Sequence, residues 1–387
     1  MSRSILNTAL LTGLSVLALA ACGSDEAETA SGEPQAEVAQ AQDDAAAVTA
    51  ETEGEGEGEG RYLNQPLVSE IYTADPSAHV WEDGRIYIYP SHDVEAGIPE
   101  DDLGSHFDMR DYYVLSMDRP GGEVTISDVA LTREDVPWAE RQLWAPDAAY
   151  KDGTYYLYFP AKDPEGVFRI GVATSQSPTG PFEPEAEPIP GSFSIDPAVF
   201  EDADGQYYMY FGGIWGGQLQ RWATGTYNDD PDMVTDLEQD DQPALAPKIA
   251  RMSDDMLTFA EEPKDVQILD EDGNPILGGD HDRRFFEAAW VFEREGVYYF
   301  TYSTGDTHFI AYATGDNPYG PFTYQGNVLN PVQGWTNHHS IFEYEGQWYL
   351  AYHDTQLSGQ THLRNVKMTE LTFRPDGTIE TVEPMTE

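Results

Sequence analysis

Cysteine is nearly absent: the 387-residue chain has one, Cys22. No disulfide can form within it, so the fold must be held by packing alone. Basic side chains are scarce, 20 Lys and Arg against 70 Asp and Glu, for a formal net charge of −50. A surface of that sign disfavours nucleic acid and polyanionic substrates as partners. The one long apolar run, Leu10 to Ala21, is shorter than the ~20 residues a membrane-crossing helix needs. Neither a glycine-rich phosphate loop nor a paired Cys/His spacing for zinc is present, and long helical periodicity is missing. What the chain has is tyrosine (23 residues), glycine (35) and acid.

The ends divide from the middle by composition. Arg3, the apolar run and L-A-A-C-G resemble a bacterial lipoprotein signal, with residues 1–21 as the leader and Cys22 as the lipidated first residue. The resemblance implies export, a place in the outer membrane or periplasm, and membrane attachment through that anchor only. Residues 22–60 hold twelve acids, no Lys or Arg and almost no large apolar side chain, and end E-G-E-G-E-G-E-G. Such a stretch cannot bury enough surface to fold and is expected to be a disordered tether. The remaining 58 acids and 19 bases fall in residues 61–387, which carry about −39 on their own. That charge fits a saline habitat, where salt screens self-repulsion.

Within 61–387 one pattern recurs five times: an acidic or histidine lead, a short apolar alternation, an acid–glycine turn, and an aromatic alternation running back. Asp-Gly flanked by period-two patterning is a strong β-hairpin signal. The leads are Asp75, Asp147, Asp196, Glu287 and the His338/His339 pair; the turn glycines are 84, 153, 205, 296 and 346. I-G-V-A-T-S-Q-S-P-T-G-P-F (170–182) and I-A-Y-A-T-G-D-N-P-Y-G-P-F (310–322) follow two of the copies like a third strand and its exit turn. A unit near 50 residues with insertions predicts an all-β fold, a five-bladed β-propeller whose hairpins are the inner strands of the blades. The Asp-, Pro- and Glu-rich stretch 228–285 yields no secondary-structure assignment.

Equivalent positions of the innermost strands converge on one mouth of a propeller channel. Crowding carboxylates there raises desolvation and repulsion, which folding does not require, so Asp75, Asp196 and Glu287 are the candidate catalytic set. Asp83, Asp152, Asp204, Glu295 and Glu345 lie inside the turns and read as solvated turn residues. Opposed carboxyls suit glycoside hydrolysis, in which one acid protonates the leaving oxygen and another carboxylate activates water.

Y-T-A-D-P-S-A-H-V-W, L-W-A-P-D-A-A-Y, S-I-D-P-A-V-F-E-D-A-D-G and F-F-E-A-A-W-V-F, in that order, resemble glycoside hydrolase family 43 over about residues 66–383. The resemblance implies an inverting enzyme with Asp75 as general base, Glu287 as general acid and Asp196 tuning and orienting that acid. Asp147 lies in the W-A-P-D element, where the family's acid is usually structural. It also implies a channel histidine, His338 first and His339 second, beside a possible Ca2+ held largely through water; no cofactor enters the chemistry.

If every turn has two residues, the registers place His92 opposite Asp75, Gly213 opposite Asp196, Thr304 opposite Glu287 and His353 opposite His338. His92, Thr304 and His353 then join Asp147 as substrate-binding candidates, with Trp215 as a sugar-stacking platform. The expected activity is exo-hydrolysis of xylo- or arabino-oligosaccharides, β-D-xylosidase ahead of α-L-arabinofuranosidase. A catalytically inactive glycan-binding lipoprotein and an endo-arabinanase are the alternatives.

Overall fold

The five hairpins form, and each opens one blade of a ring. The structure, a computed structural model, describes residues 63–385 apart from 231 and 234–239; the expected leader, Cys22 and the tether lie outside them. Blade 1 runs Tyr72–Val80, Ile86–Asp93, Leu115–Met117 and Thr125–Ile126; blade 2 runs Asp147–Lys151, Thr154–Lys162, Phe168–Ser175 and Glu183–Pro184. Blade 3 is Ala198–Glu201, Tyr207–Phe211, Lys248–Arg251 and Lys264–Asp265. Blade 4 is Glu287–Arg294, Val297–Ser303, Ile310–Gly315 and Phe322–Leu329, edged by Ile268–Leu269. Blade 5 is His339–Tyr344, Gln347–Asp354 and Asn365–Leu371. The 228–285 stretch therefore supplies the outer half of blade 3 and a parallel edge for blade 4.

Alternation along these strands sends one set of side chains into each interblade layer. Tyr87 and Tyr89 meet Leu157 and Phe159, Tyr158 and Ile170 meet Met209 and Phe211, and Tyr210 meets Phe300 and Tyr302. Trp290 and Phe292 then pack with Ile341 and Leu350, and Ile86 and Ile88 close the circle against Val366 and Met368. The tyrosines pack their rings and spend their hydroxyls on neighbouring backbone: Tyr89 donates to Pro178 O at 2.8 Å and Tyr210 to Pro318 O at 2.6 Å. The seam is sealed by chain ends. Asn64 and Leu67 donate backbone N–H groups to Met368 O and Val366 O on blade 5, while Val382 bridges to Leu329 on blade 4.

Three of the four expected registers need correction. Two-residue turns form at Asp152-Gly153, Glu295-Gly296 and Glu345-Gly346, with both central residues at positive φ. Blades 1 and 3 instead use longer turns in which only Gly84 and Gly205 are left-handed, and their last pairs are Val80↔Ile86 and Glu201↔Tyr207. That moves each partner by one residue. A bulge between Ala74 and Ser77 moves blade 1 again, so His92 pairs with Thr73 rather than Asp75. Gly213 is not paired with Asp196; its O accepts from the Ser194 hydroxyl and its N–H donates to it. A bulge after Glu287 brings Ser303, not Thr304, opposite it. In blade 5 His339↔Tyr352 continues the ladder in the register that sets His338 beside His353.

Candidate active site

The bulges that upset the registers build the site. Asp75 (φ 49°) and Asp196 (φ 55°) are left-handed, and so is Ala288 (φ 61°), the residue after Glu287. L-residues adopt that region at a cost, and such strain persists only where the surroundings enforce it. Here it accompanies three carboxyls that share one cavity. Asp75, Asp196, Glu287 and His338 line one cavity of about 260 Å³. Its wall is completed by the segment after the first hairpin (Glu100 to Met109), by Trp144 and Ala145, by Ile214–Gly217, and by Phe286, Trp335, Thr336, Thr361 and Arg364. The segment after the first hairpin thus walls the site; none of the lining residues comes from 228–285.

The three acids are held differently. Asp75 Oδ1 accepts from Arg364 Nη1 at 2.9 Å and Oδ2 from the Ser91 hydroxyl at 2.7 Å. Burial alone would raise its pKa; the Arg364 guanidinium outweighs burial and holds the carboxyl well below the usual range. Asp196 Oδ2 accepts the Ala288 N–H at 2.8 Å, yet burial, then Glu287 and Asp75, push its pKa well up. Glu287 is pushed up to about 8, by burial first and by the Asp75 charge second, with Arg364 opposing. Asp196 and Glu287 are therefore both pushed toward the protonated form near neutral pH while Asp75 stays ionised. One base and one acid face a common space.

The other expected site residues fall in several places. His338 is in the wall, its Nδ1 3.7 Å from Asp75 Oδ1 and 3.9 Å from Asp196 Oδ2, and burial lowers its pKa to about 4, leaving it neutral. His353 is buried behind Asp75: its Nδ1 accepts the Asp75 N–H at 3.0 Å and its Nε2 donates to Thr336 O at 3.0 Å, so the proton sits on Nε2. Trp215 lines the cavity and packs on Phe286 and Trp335 at 5.3 and 5.8 Å between centroids. His92, off the lining, donates to Asp111 at 2.6 Å, and Thr304 is tied into its own turn through Thr307 and Phe309. Asp147 also lies off the lining, inside the channel, where it accepts from Ser77, from His79 Nε2 and from the Val199 N–H. It joins blades 1, 2 and 3 around the axis.

Arg364, Phe107, Phe286 and Trp335 were not foreseen. Arg364 immediately precedes the third strand of blade 5, outside the hairpin unit on which the repeat was read. Trp335 lies in a connection and is 38% exposed. For a divalent cation, the fit is partial. Calcium takes six to eight oxygens, and among the described residues no cluster of three or more candidate ligands exists. His338 offers one neutral nitrogen, so water would have to complete the shell.

The family described as Glycosyl hydrolases family 43 matches residues 122–379. A protein named Xylosidase/arabinosidase 43A from Humicola insolens is 57% identical over 325 residues, 82% of this chain and 99% of its own length. A crystal structure described as a β-xylosidase/α-arabinofuranosidase from a compost microbial metagenome, with xylotriose and in calcium-free form, is 68% identical. It covers 85% of this chain and all of its own, at a TM-score of 0.83. A Xanthomonas citri enzyme solved with xylotriose is 55% identical over 82% of this chain and 93% of its own, at 0.77.

Proposed function

Because this chain belongs to glycoside hydrolase family 43 and is a glycoside hydrolase, we propose that it removes terminal pentosyl residues from hemicellulose oligosaccharides with inversion. β-D-xylosyl ends come first and α-L-arabinofuranosyl ends second. The observation that carries the reading is the electrostatic split inside one cavity, an Asp75 held ionised by Arg364 against a Glu287 kept protonated to about pH 8. The relatives named above support the pentose assignment. The cavity's small volume, below the ~300–1,000 Å³ of most ligand pockets, suits one terminal sugar rather than a stretch of chain.

Asp75 Oδ takes the proton of a water aimed at the anomeric carbon as Glu287 delivers its proton to the departing glycosidic oxygen. Burial and the Asp75 charge keep that proton on Glu287, and Asp196 fixes the backbone at Ala288. The neutral His338 can hydrogen-bond a sugar hydroxyl without adding charge, and Trp215 and Phe286 offer flat apolar surface to the C–H faces of the ring. The acid–base chemistry needs no cofactor; a calcium ion beside His338, held mainly by water, would act only on the shape and field of the channel.

Release of sugar from nitrophenyl β-D-xyloside, xylobiose and nitrophenyl α-L-arabinofuranoside, followed by proton NMR, tests the reading. The first xylose from a β-xyloside should be the α anomer. Asp75→Asn and Glu287→Gln should lose about 10²–10⁴-fold in rate on xylobiose while keeping the fold. A β anomer as first product, or binding without turnover of any pentoside, would overturn it. We further propose, from the Leu10–Ala21 run and L-A-A-C-G, that the chain is exported and acylated on Cys22. Mass analysis of the N-terminal peptide of Cys22→Ala and wild-type protein from bacterial membranes checks this, and wild-type protein lacking the lipid refutes it.

A further inference from the structure

Arg364 is gripped on every side. Its Nη1 donates to Asp75, its Nε and Nη2 donate to Asp93 Oδ2 and Oδ1 at 2.8 and 2.7 Å, and its backbone N–H adds a third bond to Asp93 Oδ2 at 2.8 Å. The Phe107 ring lies 4.7 Å from the guanidinium carbon. Asp75, Asp93 and Arg364 are 6%, 2% and 3% exposed. Two carboxylates and one guanidinium leave a net negative charge in the interior, where an apolar cluster of the same shape would serve stability as well or better. Asp93 ends the second strand of blade 1, and it is not among the residues that line the cavity.

We propose that Asp93 is a positioning residue for hydrolysis: its fork-to-fork contact fixes Arg364 so that Nη1, and no other guanidinium edge, meets Asp75 Oδ1. The inference rests on Asp75 being the base. A guanidinium and a carboxylate share a plane when two N–H groups meet two oxygens. With that edge occupied by Asp93, Arg364 has one direction left for Nη1. Ser91 holds the other Asp75 oxygen, so the base is set at both ends and its remaining lone pairs are aimed by default. The charged and titratable groups facing Asp75 come from blades 3, 4 and 5 and from the segment that follows the first hairpin. They are Arg364, His338 and His353 from blade 5, Asp196 and Glu287 from blades 3 and 4, and the Tyr112 phenol from the blade 1 extension. Only Arg364 brings a fixed positive charge, so its placement decides whether the base is ionised.

Asp93→Asn keeps the shape but sets an amide N–H against an arginine N–H. Its kcat on xylobiose should fall about 10²-fold, the scale of an ångström-sized misplacement, with KM within about threefold. The acid limb of its pH profile should move to higher pH. Adding Asp93→Asn to Arg364→Met should cost no further rate, because Asp93 acts through the guanidinium. Full activity in Asp93→Asn overturns the proposal; so does a loss that leaves the acid limb unmoved, or one that multiplies the Arg364→Met effect. Should Asp93→Asn fail to fold, Asp93→Glu keeps the charge on a longer stem and should show the same limb shift at smaller size, and a wild-type profile there overturns it equally. Asp75→Asn separates the two readings: if that variant remains active, the base assignment fails first.

Discussion

Asp75, Asp196 and Glu287 are chemically ordinary carboxyls whose differences come from neighbours. The arginine beside Asp75 is countered by nothing comparable beside Glu287, and the same burial that Arg364 overrides at the first raises the second to about 8. The sign of the pH response follows. In the proposed mechanism Glu287 must carry its proton, so kcat/KM should stay level through the acidic and neutral range and fall about tenfold per unit above pH 8. A profile of xylobiose hydrolysis checks this, and a plateau reaching pH 10 contradicts it. The left-handed backbone at Asp196 gives a second expectation. Asn tolerates that region and Ala does not, so Asp196→Ala should unfold about 1–2 kcal/mol more easily than Asp196→Asn in urea. The identities of the three acids could be read from the sequence, because their spacing ahead of each turn repeats. Their φ angles could not: at a non-glycine residue positive φ is imposed by packing, and an aspartate in an aspartate-rich chain does not announce it. Arg364 escaped for a related reason, since it meets Asp75 across 289 positions of chain.

Turns and bulges show where local reading of an element stops. Glu295-Gly296 and Glu345-Gly346 give the two-residue hairpins their sequence announces, whereas Asp83-Gly84 and Asp204-Gly205 carry the same dipeptide type into longer turns. A single step of register then reassigns every facing pair. This is why His92 and Thr304 left the site. The turn region after the blade 3 hairpin is constrained by close approach. A Cβ on Gly213 would sit 2.6 Å from Ile195 Cδ1 and 3.2 Å from Glu287 Cβ. Gly213→Ala should therefore displace the acid and lower kcat on xylobiose by tenfold or more, on the order of the cost of a misplaced catalytic group. Equal rates for variant and parent would show that the neighbours yield.

Across the whole molecule, one sign of charge dominates a ring closed without covalent help. About −39 spread over residues 61–387 pushes the blades apart at low ionic strength. Raising salt from about 0.05 M to 1 M shortens the screening length to about 3 Å. The melting temperature should rise over that range, while KM for neutral xylo-oligosaccharides stays within about twofold; a falling melting temperature would refute the account. Blade count and the common mouth were legible because repetition is a property of sequence. The seam was not, because Asn64, Leu67 and Val382 lie outside any repeat and act only by supplying hydrogen bonds where the ring would otherwise show open edges. The arginine that ionises the first blade's aspartate belongs to the last blade. A ribosome must therefore have released the chain past residue 364 before Asp75 can meet the guanidinium that ionises it.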